Sequence, residues 1–168
     1  VQGALLFGSY APMDIVAPRV EWIDLTAAGA RVVPPELRGV VGSVGTDEFG
    51  QWSPLPGDLA AWFASDSGLN VGPIEQVTVG GRSASSFTFT VPTLPPGTNA
   101  CVLWPCLRLL GGADWGWPAL EGDRGRMWFV DLDGHQLLLQ VRSQPADADL
   151  VIPAGLEIVA SMTIGESV

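Results

Sequence analysis

The residue best suited to acid–base chemistry in this sequence is its single histidine, His135. A hydrolytic triad would place a nucleophile and an orienting acid beside that imidazole, but the sequence lacks the Gly-x-Ser-x-Gly motif of a nucleophile elbow. His135 also follows Asp133 and Gly134, a pair typical of a hairpin turn, where exposed polar residues are expected. We therefore predict no catalytic residue and no enzymatic activity. The alternative is a hydrolase that uses His135 with a serine or a carboxylate.

Carboxylates precede the same turn, where Asp131 and Asp133 give an Asp-x-Asp-Gly spacing. This spacing is similar to the start of an EF-hand calcium loop, but the downstream ligands and the terminal Glu are missing. Two cysteines and one histidine cannot complete a four-ligand zinc site without carboxylates from elsewhere in the chain. The sequence therefore predicts neither a metal site nor a cofactor.

Tryptophans are concentrated in residues 92–125, a stretch rich in Gly and Pro that we predict to be a long, loop-rich segment, with short strand pieces as an option at 102–104 and 107–110. Aromatic rings in a loop with acidic neighbours can bind sugars or cations, and they can equally pack the loop against a sheet. We take as candidate ligand-binding residues Trp104, Trp115, Trp117 and Arg126.

The two cysteines, Cys101 and Cys106, lie in the sequence CVLWPC. The spacing differs from the C-x-x-C of redox motifs. We predict a local disulfide between them, with a redox pair or two free thiols as the alternatives. A disulfide would indicate an oxidising compartment.

Two hairpins must position these residues. In residues 76–91, two runs alternate with a period of two, which indicates strands. Gly80 and Gly81 separate them, and both glycines can take the positive φ that a type I′ turn requires. A second hairpin is predicted from residues 126–132 and 136–142. The hydroxyl side chains of the first hairpin are predicted to form its outer face: Ser83, Ser85, Ser86, Thr88 and Thr90.

Two helices complete the predicted fold. Leu59, Trp62 and Phe63 have helical spacing, which predicts a helix over about 56–66. A second helix is predicted over about 152–160, followed by a closing strand at 161–164. Shorter strands are predicted near 20–25, 31–33 and 40–44. The fold class is therefore α+β: a curved antiparallel sheet with both helices packed on one face, in a single domain of residues 1–168.

The net charge of −10, with no lysine, excludes a phosphate backbone as a natural partner. The apolar runs are far shorter than the roughly 20 residues of a membrane span. We predict no nucleic-acid binding and no membrane span in this chain. We expect either a mature protein from which a signal peptide or lipid anchor was removed or a piece of a membrane-tethered parent.

The order of the motifs resembles a known layout. Over about 56–165 the chain has five motifs in this order: a helix with DLAAWF, the hairpin VTVGGRSASSFTFTV, a cysteine-containing loop, RMWFVDLDGHQLLLQVRS and GLEIVASMTI. This order resembles a family of uncharacterised actinobacterial cell-envelope proteins, often lipoproteins, and is more distantly similar to PsbP-like domains. The resemblance implies a secreted or extracytoplasmic location, and it supplies no catalytic residues.

These observations predict a non-catalytic extracytoplasmic domain that binds a cell-envelope protein or a small ligand through the tryptophan-rich segment 92–125. A structural spacer without a ligand is the plainest alternative.

Overall fold

A computed structural model of the chain describes residues 21–24, 31–32, 53–95, 106–112, 115–133 and 136–165. Over these residues the fold is α+β, with two helices and antiparallel strands, as predicted. In chain order the elements are β1 (Glu21–Asp24), β2 (Arg31–Val32), β3 (Ser53–Pro54), α1 (Leu59–Asp66), β4 (Asn70–Val71), β5 (Glu75–Val79), β6 (Arg82–Thr90), β7 (Cys106–Gly112), β8 (Trp115–Leu120), β9 (Arg124–Asp131), β10 (Gln136–Ser143) and α2 (Ala148–Ser161).

The strands form two sheets rather than the single curved sheet that we predicted. The larger sheet has the order β1-β10-β9-β6-β4, with β5 also paired to β6. The smaller sheet has the order β3-β2-β7-β8. Its strands β7 and β8 come from the segment predicted to be loop-rich. The short strand piece proposed at 107–110 lies within β7, whereas the loop prediction is wrong for β8 at 115–120. Pro118 lies on β8, an edge strand of the described sheet, where its missing N–H removes no ladder hydrogen bond.

Side chains of the larger sheet alternate between two buried faces. One face carries Phe87, Phe89, Met127, Phe129 and Leu138, which share a core with α1 and the smaller sheet. We call it the α1 face. The other carries Ala84, Trp128, Val130, Leu139 and Val141, which share a core with α2. We call it the α2 face. The uniformly apolar runs of β9 and β10 reflect this burial on both sides.

The two helices therefore pack on opposite faces of the larger sheet, which corrects the prediction that they share one face. On α1, the Phe63 ring lies 5.9 Å from the Phe87 ring and 5.6 Å from the Phe129 ring, measured between centroids. On α2, Gly155 packs directly against Val141 on the other side. An apolar strand with both faces buried needs a cover on each side.

The helix ends differ from their predicted positions for identifiable reasons. Helix α1 begins at Leu59 because Asp58 caps it, accepting a hydrogen bond from the Ala61 amide at 2.9 Å. Helix α2 begins at Ala148 and includes Pro153 in its interior, whereas we had placed that proline near the helix start. The predicted closing strand is also wrong, because Ser161 ends α2 and residues 162–165 are not a strand. The Ile164 amide instead makes a single backbone hydrogen bond to the Gly80 carbonyl, at 3.2 Å.

The predicted strand at 40–44 lies outside the described residues. In the described part of the chain, neither helix has the length and apolarity needed to cross a bilayer.

Candidate functional site

A cleft of about 620 Å³ lies between the start of α1 and the α1 face of the larger sheet. Its polar lining consists of Asp58, Gln76, Ser83, Ser85, Asp131 and Gln136. Its apolar lining includes Pro56, Leu59, Ala60 and Phe129. The cleft thus combines hydrogen-bonding side chains with an apolar wall, which is the usual composition of a small-molecule site.

Strand register explains why these polar side chains meet. Gln136 pairs with Asp131, and Thr78 pairs with Ser83. Ser83 lies one residue beyond the last pair between β6 and β9, Ala84 with Val130, so it stands next to Asp131 on the α1 face. Four neighbouring strands therefore present one line of side chains, which we call the polar row: Gln136, Asp131, Ser83 and Thr78.

The next line of side chains toward the core mixes apolar and polar groups. Leu138 and Phe129 are buried, and they are followed across the sheet by Ser85 and Gln76. The Gln76 Nε2 group donates a hydrogen bond to Ser85 Oγ at 2.9 Å, which holds the amide against the sheet. The polar row is thus the border between the packed core and the open end of the cleft.

Ser83 and Asp131 have free hydrogen-bonding capacity. Both residues are exposed, and neither side chain makes a hydrogen bond or an ion pair to another described residue. Asp58 differs, because its Oδ1 atom already accepts from the Ala61 amide. A ligand in the cleft would therefore find a serine hydroxyl and an unengaged carboxylate side by side.

The cleft contains no cationic side chain among its lining residues. On the strands around it, Arg82, Arg124 and Arg126 all lie on the α2 face, as register with Trp128 and Val130 requires. Arg82 pairs with Asp133 at 2.9 Å, and Arg124 pairs with Asp149 at 2.9 Å. Arg142 lies on the α1 face, but at the other end of β10, where it is 3.5 Å from Asp123. The described lining therefore offers an anionic ligand two carboxylates and no positive charge.

Of the predicted ligand-binding residues, Arg126 is the one whose side chain lies within the described part of the structure. Arg126 donates from Nε to Ser86 Oγ at 2.7 Å, pairs with Glu75, and lies 5.7 Å from the centroid of the Trp128 ring. All these contacts are on the α2 face, whereas the smaller sheet, which holds β8, covers the α1 face. Arg126 therefore has a packing role away from β8.

The backbones of Trp115 and Trp117 lie on β8, opposite Gly112 and Leu110. Their side chains lie outside the described part of the structure, as does the whole of Trp104.

Cys106 begins β7, is fully buried and is disulfide-bonded. The other cysteine of the chain, Cys101, lies outside the described residues, so the predicted pairing stays a prediction. No group of three or more His, Cys, Asp or Glu side chains within the described ranges could hold a metal ion.

The hydrolase alternative depends on His135, which lies outside the described residues. Its sequence neighbour Gln136 lines the cleft together with two serines and Asp131. Among the lining residues the groups that could accept a proton are the carboxylates of Asp58 and Asp131, which line the cleft together with two serine hydroxyls.

Sequence analysis missed the cleft because it treated five hydroxyl side chains of β6 as one outer row. In the structure Ser83 and Ser85 face the cleft, while Thr88 and Thr90 are exposed on the α2 face and Ser86 is buried beside Arg126. The signal was present in the sequence: Ser83 and Ser85 are separated from Phe87 and Phe89 by even steps, and a strand places such residues on one face.

In comparisons with known proteins, no protein-family model, no curated protein and no solved structure matched the chain.

Proposed function

We propose that this protein is a non-catalytic binding domain that holds a small polar ligand without negative charge in the cleft beside α1. The observation that carries the proposal is the convergence of six hydrogen-bonding side chains from five elements or their caps on one cavity of about 620 Å³. Side chains on separate strands and a helix cap are held at fixed positions by the fold, so they can select a ligand by shape.

This proposal moves the site from the tryptophan-rich segment to the α1 face. The segment around Trp115 and Trp117 contributes strands to the smaller sheet, which shares a core with Phe87 and Phe129. Aromatic rings on such a strand can pack against this core. The cleft, in contrast, has polar side chains with no hydrogen-bond partner among the described residues. A ligand that needs hydrogen bonds is therefore better served by the cleft.

An extracytoplasmic location is part of the proposal. The disulfide at Cys106 supports it, because disulfides persist in oxidising compartments. The motif order that resembles actinobacterial envelope proteins and PsbP-like domains points the same way.

Backbone amide chemical shifts test the proposed site directly. We would titrate the protein with glycerol, glucose, acetamide, methylammonium and acetate in turn. We expect uncharged members of this panel to shift the amides of residues 57–60, 83–85 and 131, and acetate to shift none of them. Shifts concentrated on β8, or no shift with any of the five compounds, would remove the cleft as the site.

A charge-matched pair of variants sharpens this test. Asp131→Ala removes the unengaged carboxylate of the cleft, and Asp149→Ala removes an exposed carboxylate on α2. Because one net hydrogen bond contributes about 0.5–1.5 kcal/mol, we expect Asp131→Ala to weaken ligand binding by about threefold to tenfold. Asp149→Ala should leave the dissociation constant unchanged. Equal effects of the two substitutions would indicate a bulk charge effect and contradict a site at Asp131.

A further inference from the structure

We propose that the ligand of the cleft is a neutral linear oligosaccharide that lies across the strands along the polar row. This inference rests on the proposed function and assigns its ligand class. The geometry of the row, its hydrogen-bonding chemistry, its charge and its open end each support the assignment.

The polar row has the length of a chain rather than of a single small molecule. Gln136, Asp131, Ser83 and Thr78 stand on four adjacent strands. Neighbouring strands are about 4.8 Å apart, so the row spans about 14 Å. A polymer that repeats its hydroxyl groups at regular intervals can meet each strand of such a row in turn.

The chemistry of the row suits hydroxyl groups, which both donate and accept hydrogen bonds. Ser83 and Thr78 carry hydroxyls of the same kind, and Asp131 supplies an acceptor with no partner among the described residues. Beside the row, Gln76 donates from Nε2 to Ser85, which leaves the Gln76 amide oxygen as an acceptor and the Ser85 hydroxyl hydrogen as a donor. A sugar hydroxyl could satisfy both groups at once.

The charge of the site disfavours an acidic chain. No guanidinium is among the described lining residues, and the chain as a whole carries −10, so an acidic glycan would be repelled. The lining carboxylates of Asp58 and Asp131 would attract a cation, so the choice of a neutral chain over a cationic one rests on the hydroxyl chemistry of the row.

The row continues past the cleft to the edge of the sheet. Gln76 and Ser83 line the cleft, whereas Thr78 is exposed and does not. Within the described residues β5 pairs only with β6, so no described strand borders the far side of the Thr78 strand, and Thr78 itself is exposed. A chain bound at Ser83 can therefore extend outward over Thr78, and a monosaccharide confined to the cleft cannot reach that residue.

Calorimetric titration with saccharides of increasing length tests this inference. The probes are glucose and the di-, tri- and tetrasaccharides of the maltose, cellobiose and chitobiose series, with spermine and citrate as charged comparisons. In at least one series we expect the affinity to rise with each added unit until the row is filled and then to level off. Spermine and citrate should bind more weakly than the tetrasaccharide.

Thr78→Ala changes the part of the polar row that lies outside the cleft, so it distinguishes binding along the row from binding in the cleft alone. Thr90→Ala is its matched control on the α2 face. We expect Thr78→Ala to weaken tetrasaccharide binding by about threefold to tenfold and to leave glucose binding unchanged, with no effect of Thr90→Ala on either. Tighter binding of spermine or of citrate, affinity independent of chain length, or no saccharide binding would overturn the oligosaccharide assignment. The proposed function would still stand in any of these cases if another uncharged compound shifts the amides of the cleft.

Discussion

At the scale of single residues, Arg126, a predicted ligand-binding residue, makes three contacts within the fold. Its side chain is engaged on three sides, by the buried Ser86 hydroxyl, by Glu75 and by the Trp128 ring. A guanidinium held in this way has little freedom to bind a ligand, and it sits on the face of the sheet opposite to the cleft.

Arg126→Ala should therefore reduce stability and leave ligand binding intact. The substitution removes the hydrogen bond that Arg126 donates to the buried Ser86 hydroxyl, which lowers the free energy of unfolding by about 1–3 kcal/mol. Urea denaturation measures the loss, and calorimetry measures the dissociation constant of the cleft ligand.

Arg124→Ala is the matched control for this prediction. Arg124 is on the same strand and the same face, but its partner Asp149 is 98% exposed, so the pair contributes about 0–1 kcal/mol. A weaker affinity in Arg126→Ala, with stability equal to that of Arg124→Ala, would restore Arg126 as a ligand-binding residue.

Residue types alone predicted part of the site. The serines of β6 and Asp131 were identified as residues whose side chains could act in a site, but each was interpreted as a solvated surface group. The position of a serine on a strand face follows from its spacing to Phe87 and Phe89 and can be predicted from sequence. A single sequence does not specify long-range strand pairing. It therefore could not show that β9 and the start of α1 lie beside those serines.

At the scale of secondary structure, turn chemistry was the most reliable signal. The Gly80-Gly81 turn was predicted with its two flanking strands, and both glycines have positive φ, 58° and 85°. The strands β9 and β10 were predicted to within two residues at each end. Strand β8 was missed, and β7 was anticipated only as a short piece at 107–110, because Gly111, Gly112, Gly116 and Pro118 weaken a strand pattern. Tertiary pairing overrode that local preference.

Contact between α2 and β10 gives a prediction at this scale. A Cβ atom on Gly155 would lie 2.4 Å from Val141 Cγ1 and 2.8 Å from Cγ2. Gly155→Ala gains about 1 kcal/mol of helix propensity, but overpacking costs about 1–3 kcal/mol. Because a branched valine side chain cannot turn both methyl groups away, we expect a net loss of about 1 kcal/mol in the free energy of unfolding.

A double-mutant cycle isolates that contact. In a Val141→Ala background the two methyl groups are absent and only the Cβ contact at 3.2 Å remains, so Gly155→Ala should be less destabilising there and approach the propensity gain of about 1 kcal/mol. Urea unfolding of the four proteins in the cycle measures the coupling. The same effect of Gly155→Ala in both backgrounds would mean that α2 does not approach β10 as closely as the structure shows.

At the scale of the whole molecule, the larger sheet separates two environments. Its α2 face holds three of the arginines and a helix, while its α1 face holds the smaller sheet, helix α1 and the cleft. The hairpin and helix patterns predicted the α+β class. Composition predicted a sizeable core, because apolar residues make up 47% of the chain. It could not predict on which face each helix packs, since both faces of β9 and β10 are equally apolar.

The central claim is that the α1 face is the functional side of the sheet, and blocking it tests that claim most directly. Ser83→Trp places a large ring in the cleft, and Thr90→Trp places the same ring on the same strand but on the opposite face, at an exposed position. Calorimetry with the tightest-binding tetrasaccharide should show at least about a tenfold weaker affinity for Ser83→Trp, which corresponds to about 1.4 kcal/mol, and an unchanged affinity for Thr90→Trp. Unchanged affinity in Ser83→Trp, or an equal loss in both variants, would contradict the account.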